Sequence, residues 1–193
     1  MKIQLQILIL FLSVIQFNSY GQVMSGIYMN ASDYKNNRLA YEKVCTSKKH
    51  TGNIRLHDFF GHTPYITVTG NGVKHKLKKS ELYGFRNCKS EAYRFYNNAV
   101  YHIADAGNIY IYTQTQNIAQ SKGFKVVNKY YFSTSQDSRI LSLTIKNLKN
   151  EYHGSDKFID LLDQFFTENN INEYDNNHKT FKVNYVFSKS VKQ

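Results

Sequence analysis

The chain has 193 residues, a formal net charge of +11, one proline, 16 Tyr, 13 Phe and no Trp. Many aromatic residues and few prolines argue against intrinsic disorder, so we expect one globular domain with an aromatic core. The positive charge favours anionic partners such as nucleic acid, lipopolysaccharide or acidic glycans. The bias of an AT-rich genome toward Lys, Asn, Ile and Tyr explains the same charge without selection for binding.

Residues 1–21 have the order of a secretory signal peptide. A positive start precedes a mostly apolar run, and the small residues Ser19 and Gly21 occupy the −3 and −1 positions of a cut before Gln22. The apolar run is too short to span a bilayer comfortably, so we expect cleavage rather than anchoring. The sequence therefore predicts a β-rich globular domain at residues 22–193, exported to the periplasm or beyond the cell.

The chain has two cysteines, Cys45 and Cys88. In an oxidising compartment an even pair most simply forms one disulfide, and closing a loop of this length stabilises a fold by roughly 4 kcal/mol. The alternative is a nucleophilic Cys88 with a histidine such as His102 as its base, which requires a free thiolate.

The clearest local pattern is a hairpin at 65–78. Two alternating segments flank Asn71-Gly72, and Asn-Gly is the dipeptide that a two-residue type I′ turn prefers. Centring the turn there pairs Val68 with His75 and Ile66 with Leu77 on one side of the sheet. The other side then carries three pairs, which are Thr69 with Lys74, Thr67 with Lys76 and Tyr65 with Lys78.

Short strand-like segments continue along the chain after this hairpin. Two of them share the pattern K-S-E-x-Y-x-F-x-N at a spacing of ten residues, and turn residues separate the others. Such spacing predicts an antiparallel meander. The segments are 79–87, 89–97, 99–103, 108–113, 125–132 and 140–145.

The period of the sequence changes near the C-terminus. Apolar residues between Phe158 and Phe166 recur with helical spacing, and Ser155 stands in the position of an N-cap, so we predict a helix at 155–168. Alternation over 181–187 then predicts a last strand. The fold class that follows is α+β, an antiparallel β-meander sheet with a C-terminal amphipathic helix packed on one face.

Several short patterns resemble a known group of proteins. They are Gly26-Ile27-Tyr28 with Asp33-Tyr34, Leu82-Tyr83-Gly84-Phe85-Arg86, Tyr93-Arg94, the segment Phe158-Ile-Asp-Leu-Leu162, and Tyr174-Asp175 with His178 and Lys182-Val-Asn184. Together they are similar to short exported proteins of the Bacteroidota that carry no assigned function. The resemblance covers most of the predicted mature chain and implies an envelope or extracellular location.

The predicted hairpin also gives the candidate binding residues. Lys74, Lys76 and Lys78 project from one face at intervals of about 6.8 Å, where a phosphate or sulfate would relieve their repulsion. Tyr65 on the same face offers a ring for stacking. We therefore predict a non-enzymatic binding module whose partner is an anionic glycan, lipid or protein of the envelope. Lysines that protect an exposed strand from aggregation are the alternative explanation.

Two other functions stay open at this point. A hydrolase acting on an envelope polymer would use either His57, Asp58 and His62 or the pair Asp175 and His178 as acid and base. A docking subunit of a larger assembly would use the apolar face of the 155–168 helix. No pattern typical of a cofactor or metal site occurs, so we predict neither.

Overall fold

The structure is a computed structural model that describes residues 22–46, 52–57, 63–121 and 123–191. Most strands form one antiparallel sheet, the main sheet, in the order β11-β10-β9-β8-β7-β6-β1-β2. Its strands are β1 (Met24–Tyr28), β2 (Ala40–Val44), β6 (Gly84–Arg86), β7 (Ala92–Tyr96), β8 (Ala99–Ala106), β9 (Tyr110–Gln120), β10 (Gly123–Ser133) and β11 (Leu141–Ser142). The run from β6 to β11 is the predicted meander, and the predicted signal peptide lies outside the described residues.

A second, three-stranded sheet, the small sheet, is made of β3 (Ile54–Arg55), β4 (Tyr65–Gly70) and β5 (Val73–Lys78). All six cross-strand pairs from Tyr65↔Lys78 to Gly70↔Val73 match the predicted register. Asn71 and Gly72 have φ angles of 49° and 78°, as a type I′ turn requires, which is why Asn-Gly fixes this hairpin. A 3₁₀ turn at Lys79–Glu81 follows, where the sequence predicted a strand.

Four α-helices complete the described chain. They are α1 (Ala31–Lys35), α2 (Ile145–Glu151), α3 (Asp156–Phe165) and α4 (Lys182–Val191), with a two-residue hairpin of β12 (Tyr174–Asp175) and β13 (Thr180–Phe181) before the last helix. The helix predicted at 155–168 is confirmed as α3, with Ser155 as the residue before it. Its side chains Phe158 and Leu162 are fully buried against Ile111 and Phe132 of the main sheet.

The strand predicted at 181–187 is wrong, because only Phe181 is extended and α4 begins at Lys182. Val183 and Val186 are three positions apart and both face the core, which fits a helix, whereas in a strand they would lie on opposite faces. Tertiary contacts select the helix. The buried Asn184 side chain bonds both backbone groups of Ile109, the residue before β9, at 2.7 and 2.8 Å.

The helices α2, α3 and α4 and the small sheet cover the same face of the main sheet, whereas Tyr34 of α1 contacts Tyr28 and Tyr110 on the other face. Phe85, Tyr93, His102, Thr113 and Tyr130 form one row across five strands, so their side chains share that face. The small sheet packs on the Phe85 end of the row, and the helices pack on the Tyr130 end. Two hydrophobic clusters therefore lie side by side, with His102 in the row between them.

The opposite side of the main sheet, here called the tyrosine face, carries Tyr101, Tyr112 and Tyr131 around Arg94. Arg94 pairs with Tyr101 across β7 and β8, and Tyr112 pairs with Tyr131 across β9 and β10. The ring of Tyr101 lies edge-on to the rings of Tyr131 and Tyr112, with centroid distances of 5.1 and 6.3 Å. Edge-to-face contacts of this kind stabilise the packing of these rings, of which Tyr112 is completely buried.

The predicted disulfide is confirmed, because Cys45 and Cys88 are joined with their Cα atoms 5.5 Å apart. It connects the end of β2 to the turn between β6 and β7 and so encloses the small sheet. The alternative of a nucleophilic Cys88 with His102 as base is wrong, since the bonded sulfur is no thiolate. Among the described residues, no helix is both long and apolar enough to cross a bilayer.

Candidate functional site

The small sheet carries a row of positive side chains on its outer face. Its inner face is apolar, with Ile54, Ile66 and Val68 almost completely buried, so the residues that alternate with them point outward. On the outer face, the three lysines of β5 stand opposite Tyr65, Thr67 and Thr69 of β4, as the sequence predicted. All three lysines are exposed.

Arg55 adds a fourth cation that the sequence reasoning missed. It pairs with Thr67 across β3 and β4, and Thr67 pairs with Lys76 across β4 and β5, so Arg55, Thr67 and Lys76 form one row on the outer face. His57 lies on the same face, since its Nε2 is 2.9 Å from the Thr67 hydroxyl. We call Arg55, Tyr65, Lys74, Lys76 and Lys78 the cationic face.

The tyrosine of the cationic face contacts one of its lysines. The Nζ atom of Lys76 lies 4.1 Å from the centroid of the Tyr65 ring, which is a cation–π distance. Lys78 is paired with Glu81 at 3.2 Å, and both of these side chains are more than half exposed, so the pair is weakly held. The face therefore combines four cations and one ring, and Glu81 stands at its end.

The two sets of residues predicted as acid and base for a hydrolase do not form a catalytic site in the described part of the chain. His57 is described, but Asp58 and His62 lie outside the described residues. Asp175 and His178 do meet, with Oδ2 and Nδ1 2.7 Å apart, and the Asp175 carboxylate also accepts the backbone N–H groups of Asn177 and His178. These bonds close the turn between β12 and β13, which gives the pair a structural role. They also hold the pKa of Asp175 below its usual range.

The helix considered for docking divides its apolar residues between the core and the surface. Leu162 is fully buried, so it belongs to the core and offers no docking surface. Phe165 is 56% exposed and lines a groove of about 510 Å³ between α3 and α4, together with Tyr185 and Val186. Of Leu162 and Phe165, therefore, only Phe165 is available for a docking role of α3.

A polar cluster that the sequence reasoning missed lies in the row between the two hydrophobic clusters. The Glu91 carboxylate accepts hydrogen bonds from the Asn87 amide at 2.7 Å and the Tyr93 hydroxyl at 2.9 Å, which lower the pKa of Glu91. His102 shares the row, and its Nδ1 lies 3.1 Å from the Thr113 hydroxyl. Burial lowers the pKa of His102, because the charged imidazolium loses water there.

The lowered pKa of His102 predicts a loss of stability in mild acid. Below about pH 6.5 the unfolded chain binds a proton at this histidine before the folded protein does, so the free energy of unfolding falls as the pH decreases. We expect His102→Gln to remove this part of the pH dependence. The change in the free energy of unfolding that it removes should be less than about 1 kcal/mol, because water screens a half-exposed ring. Urea unfolding at pH 7.5 and 5.5 measures it, with the exposed His153→Gln as control. A pH dependence that is the same in both variants would contradict the assignment.

The described residues contain no group of three or more His, Cys, Asp or Glu side chains that could hold a metal ion. Comparison of the chain with protein-family models, with curated proteins and with solved structures finds no match. The case for function therefore rests on the geometry of the cationic face and of the clusters around it.

Proposed function

We propose that this protein is an exported binding module that holds a linear polymer of phosphate or sulfate groups on its cationic face. The observation that carries the proposal is the row of Arg55, Thr67 and Lys76 across three strands, with Lys74 and Lys78 on either side. Guanidinium and ammonium groups are the side chains that bind phosphate and sulfate oxygens.

The shape of the face favours an extended ligand. Neighbouring lysines on one strand are about 6.8 Å apart. At this spacing they contact successive charged groups of a linear polymer rather than one small ion. Tyr65 is 37% exposed and stands beside the lysines, so a sugar or a base can stack on the part of its ring that the Lys76 ammonium does not cover. The positive net charge also draws polyanions toward the protein from a distance.

The competing explanation is protection of the sheet edge. In the described part of the chain β5 is an edge strand of the small sheet, and lysines on such strands prevent pairing with other chains. This explanation predicts aggregation when the lysines are removed and no preference for an anionic polymer. The two explanations therefore differ in a measurable way.

The decisive variant is Lys74→Gln, Lys76→Gln and Lys78→Gln combined. We expect it to bind oligothymidylate or a heparin fragment at least tenfold more weakly at low salt, because three ion contacts are lost. For oligothymidylate the slope of log K against log salt concentration should fall by about 2, or about 0.7 for each contact. Fluorescence anisotropy with labelled ligands measures both quantities.

The matched control is Lys125→Gln, Lys129→Gln and Lys157→Gln combined, which removes the same charge from exposed positions elsewhere. It should keep most of the affinity, since only long-range attraction changes. Equal losses in the two triple variants would mean that net charge alone attracts the polymer and would refute a defined site. A preference for oligothymidylate or for heparin identifies phosphate or sulfate as the group bound.

A further inference from the structure

Arg94 on β7 is a buried cation. It is 5% exposed, and its guanidinium donates hydrogen bonds to the Tyr112 hydroxyl at 3.0 Å and the Ser138 carbonyl at 2.8 Å, with a longer one to the Ser133 hydroxyl at 3.5 Å. No carboxylate of the described residues forms an ion pair with it. Buried charges are costly unless they are compensated, and here the rings of Tyr83, Tyr96 and Tyr112, with centroids 5.6, 5.7 and 5.8 Å from the guanidinium carbon, offset part of that cost.

Some N–H groups of the Arg94 guanidinium are not used in the hydrogen bonds described above. Of its five N–H groups, three make the bonds just described, and the others have no hydrogen-bond partner in the described part of the chain. Arg94 lines a surface cavity of about 290 Å³ together with Asn30, Ser80, Tyr83 and Asp137. A ligand in this cavity therefore lies against a cation with donors available.

Tyr83 is the second unusual group of this cavity. It is 7% exposed, and its buried hydroxyl has no hydrogen-bond partner among the described residues. Burial raises the pKa of Tyr83, so the hydroxyl keeps its proton and stays a donor. A buried polar group without a partner is uncommon in a folded protein and calls for an explanation, such as strain, a water or an ion.

Asp137 places a negatively charged hydrogen-bond acceptor at the rim of the cavity. It is exposed, and a hydrogen bond from Ser135 together with the nearby charge of Arg94 lowers its pKa. Glu81 also lines the cavity. The carboxylates only accept hydrogen bonds, whereas the guanidinium only donates them. A hydroxyl group does both, because it accepts from Arg94 while it donates to Asp137.

We propose that this cavity binds one ring of a neutral saccharide, with hydroxyl groups of the sugar between Arg94 and Asp137. The two carboxylates disfavour an acidic ligand, and the guanidinium disfavours a cationic one. The volume lies at the lower end of ligand cavities, so it admits one sugar ring rather than a longer segment. The site uses none of the residues of the cationic face, although Glu81 of its lining is paired with Lys78 of that face.

The test is a ¹⁵N–¹H NMR titration of the exported protein with maltotriose and with N,N′,N″-triacetylchitotriose, and with digalacturonate as the acidic comparison. We expect one neutral sugar to shift the amide signals of Ser80, Tyr83, Arg94 and Asp137. Asp137→Asn should weaken that binding at least fivefold with the fold intact, because Asp137 is exposed.

Lys76→Gln is the control and should bind the neutral sugar as the wild type does. The proposal is overturned if neither neutral sugar shifts these signals, if Asp137→Asn binds with unchanged affinity, or if digalacturonate binds more tightly than both neutral sugars.

Discussion

Replacing both cysteines by serine should lower the free energy of unfolding by about 4 kcal/mol, the value expected for the loop that the disulfide closes. Cys45 and Cys88 are 43 residues apart in the sequence, and all three strands of the small sheet lie between them. Without the bond the unfolded chain gains the entropy of this loop. The cationic face should be affected first, since it belongs to the enclosed segment.

Urea unfolding of the wild type with and without reductant measures this effect. Reductant should shift the wild-type midpoint to that of the Cys45→Ser and Cys88→Ser double variant, and it should leave the double variant unchanged. Two reactive thiols in unreduced, folded protein would contradict the account. So would a wild-type midpoint that does not respond to reductant.

Asn184→Ala should lower the free energy of unfolding by about 3 kcal/mol, because it leaves both backbone groups of Ile109 buried without partners. The Asn184 side chain is 4% exposed and bonds the N–H and the carbonyl of Ile109, and its Nδ2 is also 3.1 Å from the Asp105 carboxylate. The Asp105 carboxylate in turn accepts the Phe181 backbone N–H at 3.0 Å. These bonds hold the start of α4 against the turn before β9.

Two further variants make this prediction specific. Asn184→Asp should be at least as damaging as Asn184→Ala, since a second carboxylate would face Asp105 and could not donate to Ile109. Asn108→Ala, at an exposed neighbouring position, should change stability by less than about 0.5 kcal/mol. Thermal or urea unfolding of the three variants tests whether the Asn184 hydrogen bonds stabilise the fold. An Asn184→Asp variant as stable as the wild type would refute this prediction.

The features that the sequence predicted well depend on local chemistry. The Asn71-Gly72 turn sets the register of the β4–β5 hairpin by itself, because few residues adopt positive φ at both central positions. The α3 helix has an apolar stripe with a single period, and its Phe158 and Leu162 are buried as the stripe requires. The two cysteines left one pairing to consider.

The features that the sequence did not predict depend on distant residues. The 181–187 segment alternates like a strand, and the helix is stabilised by distant contacts, which are the burial of Val183 and Val186 and the bonds of Asn184 to Ile109 and Asp105, more than 70 positions earlier. Arg55 joins the cationic face through the β3–β4 register, which no turn signal encodes. Arg94 is an ordinary strand residue in the sequence, and its burial follows from the pairing of β7 with β8 and from the loop at Ser138.

The location of the bound polymer tests the central claim most directly. A ¹⁵N–¹H NMR titration with a heparin hexasaccharide should shift the amide signals of Arg55, Thr67, Lys74 and Lys76 and leave those of Lys125 and Lys129 in place. The shifts should saturate and should disappear as salt is added, because the contacts are ionic. Shifts spread over all exposed lysines, or confined to a surface other than the cationic face, would contradict the account.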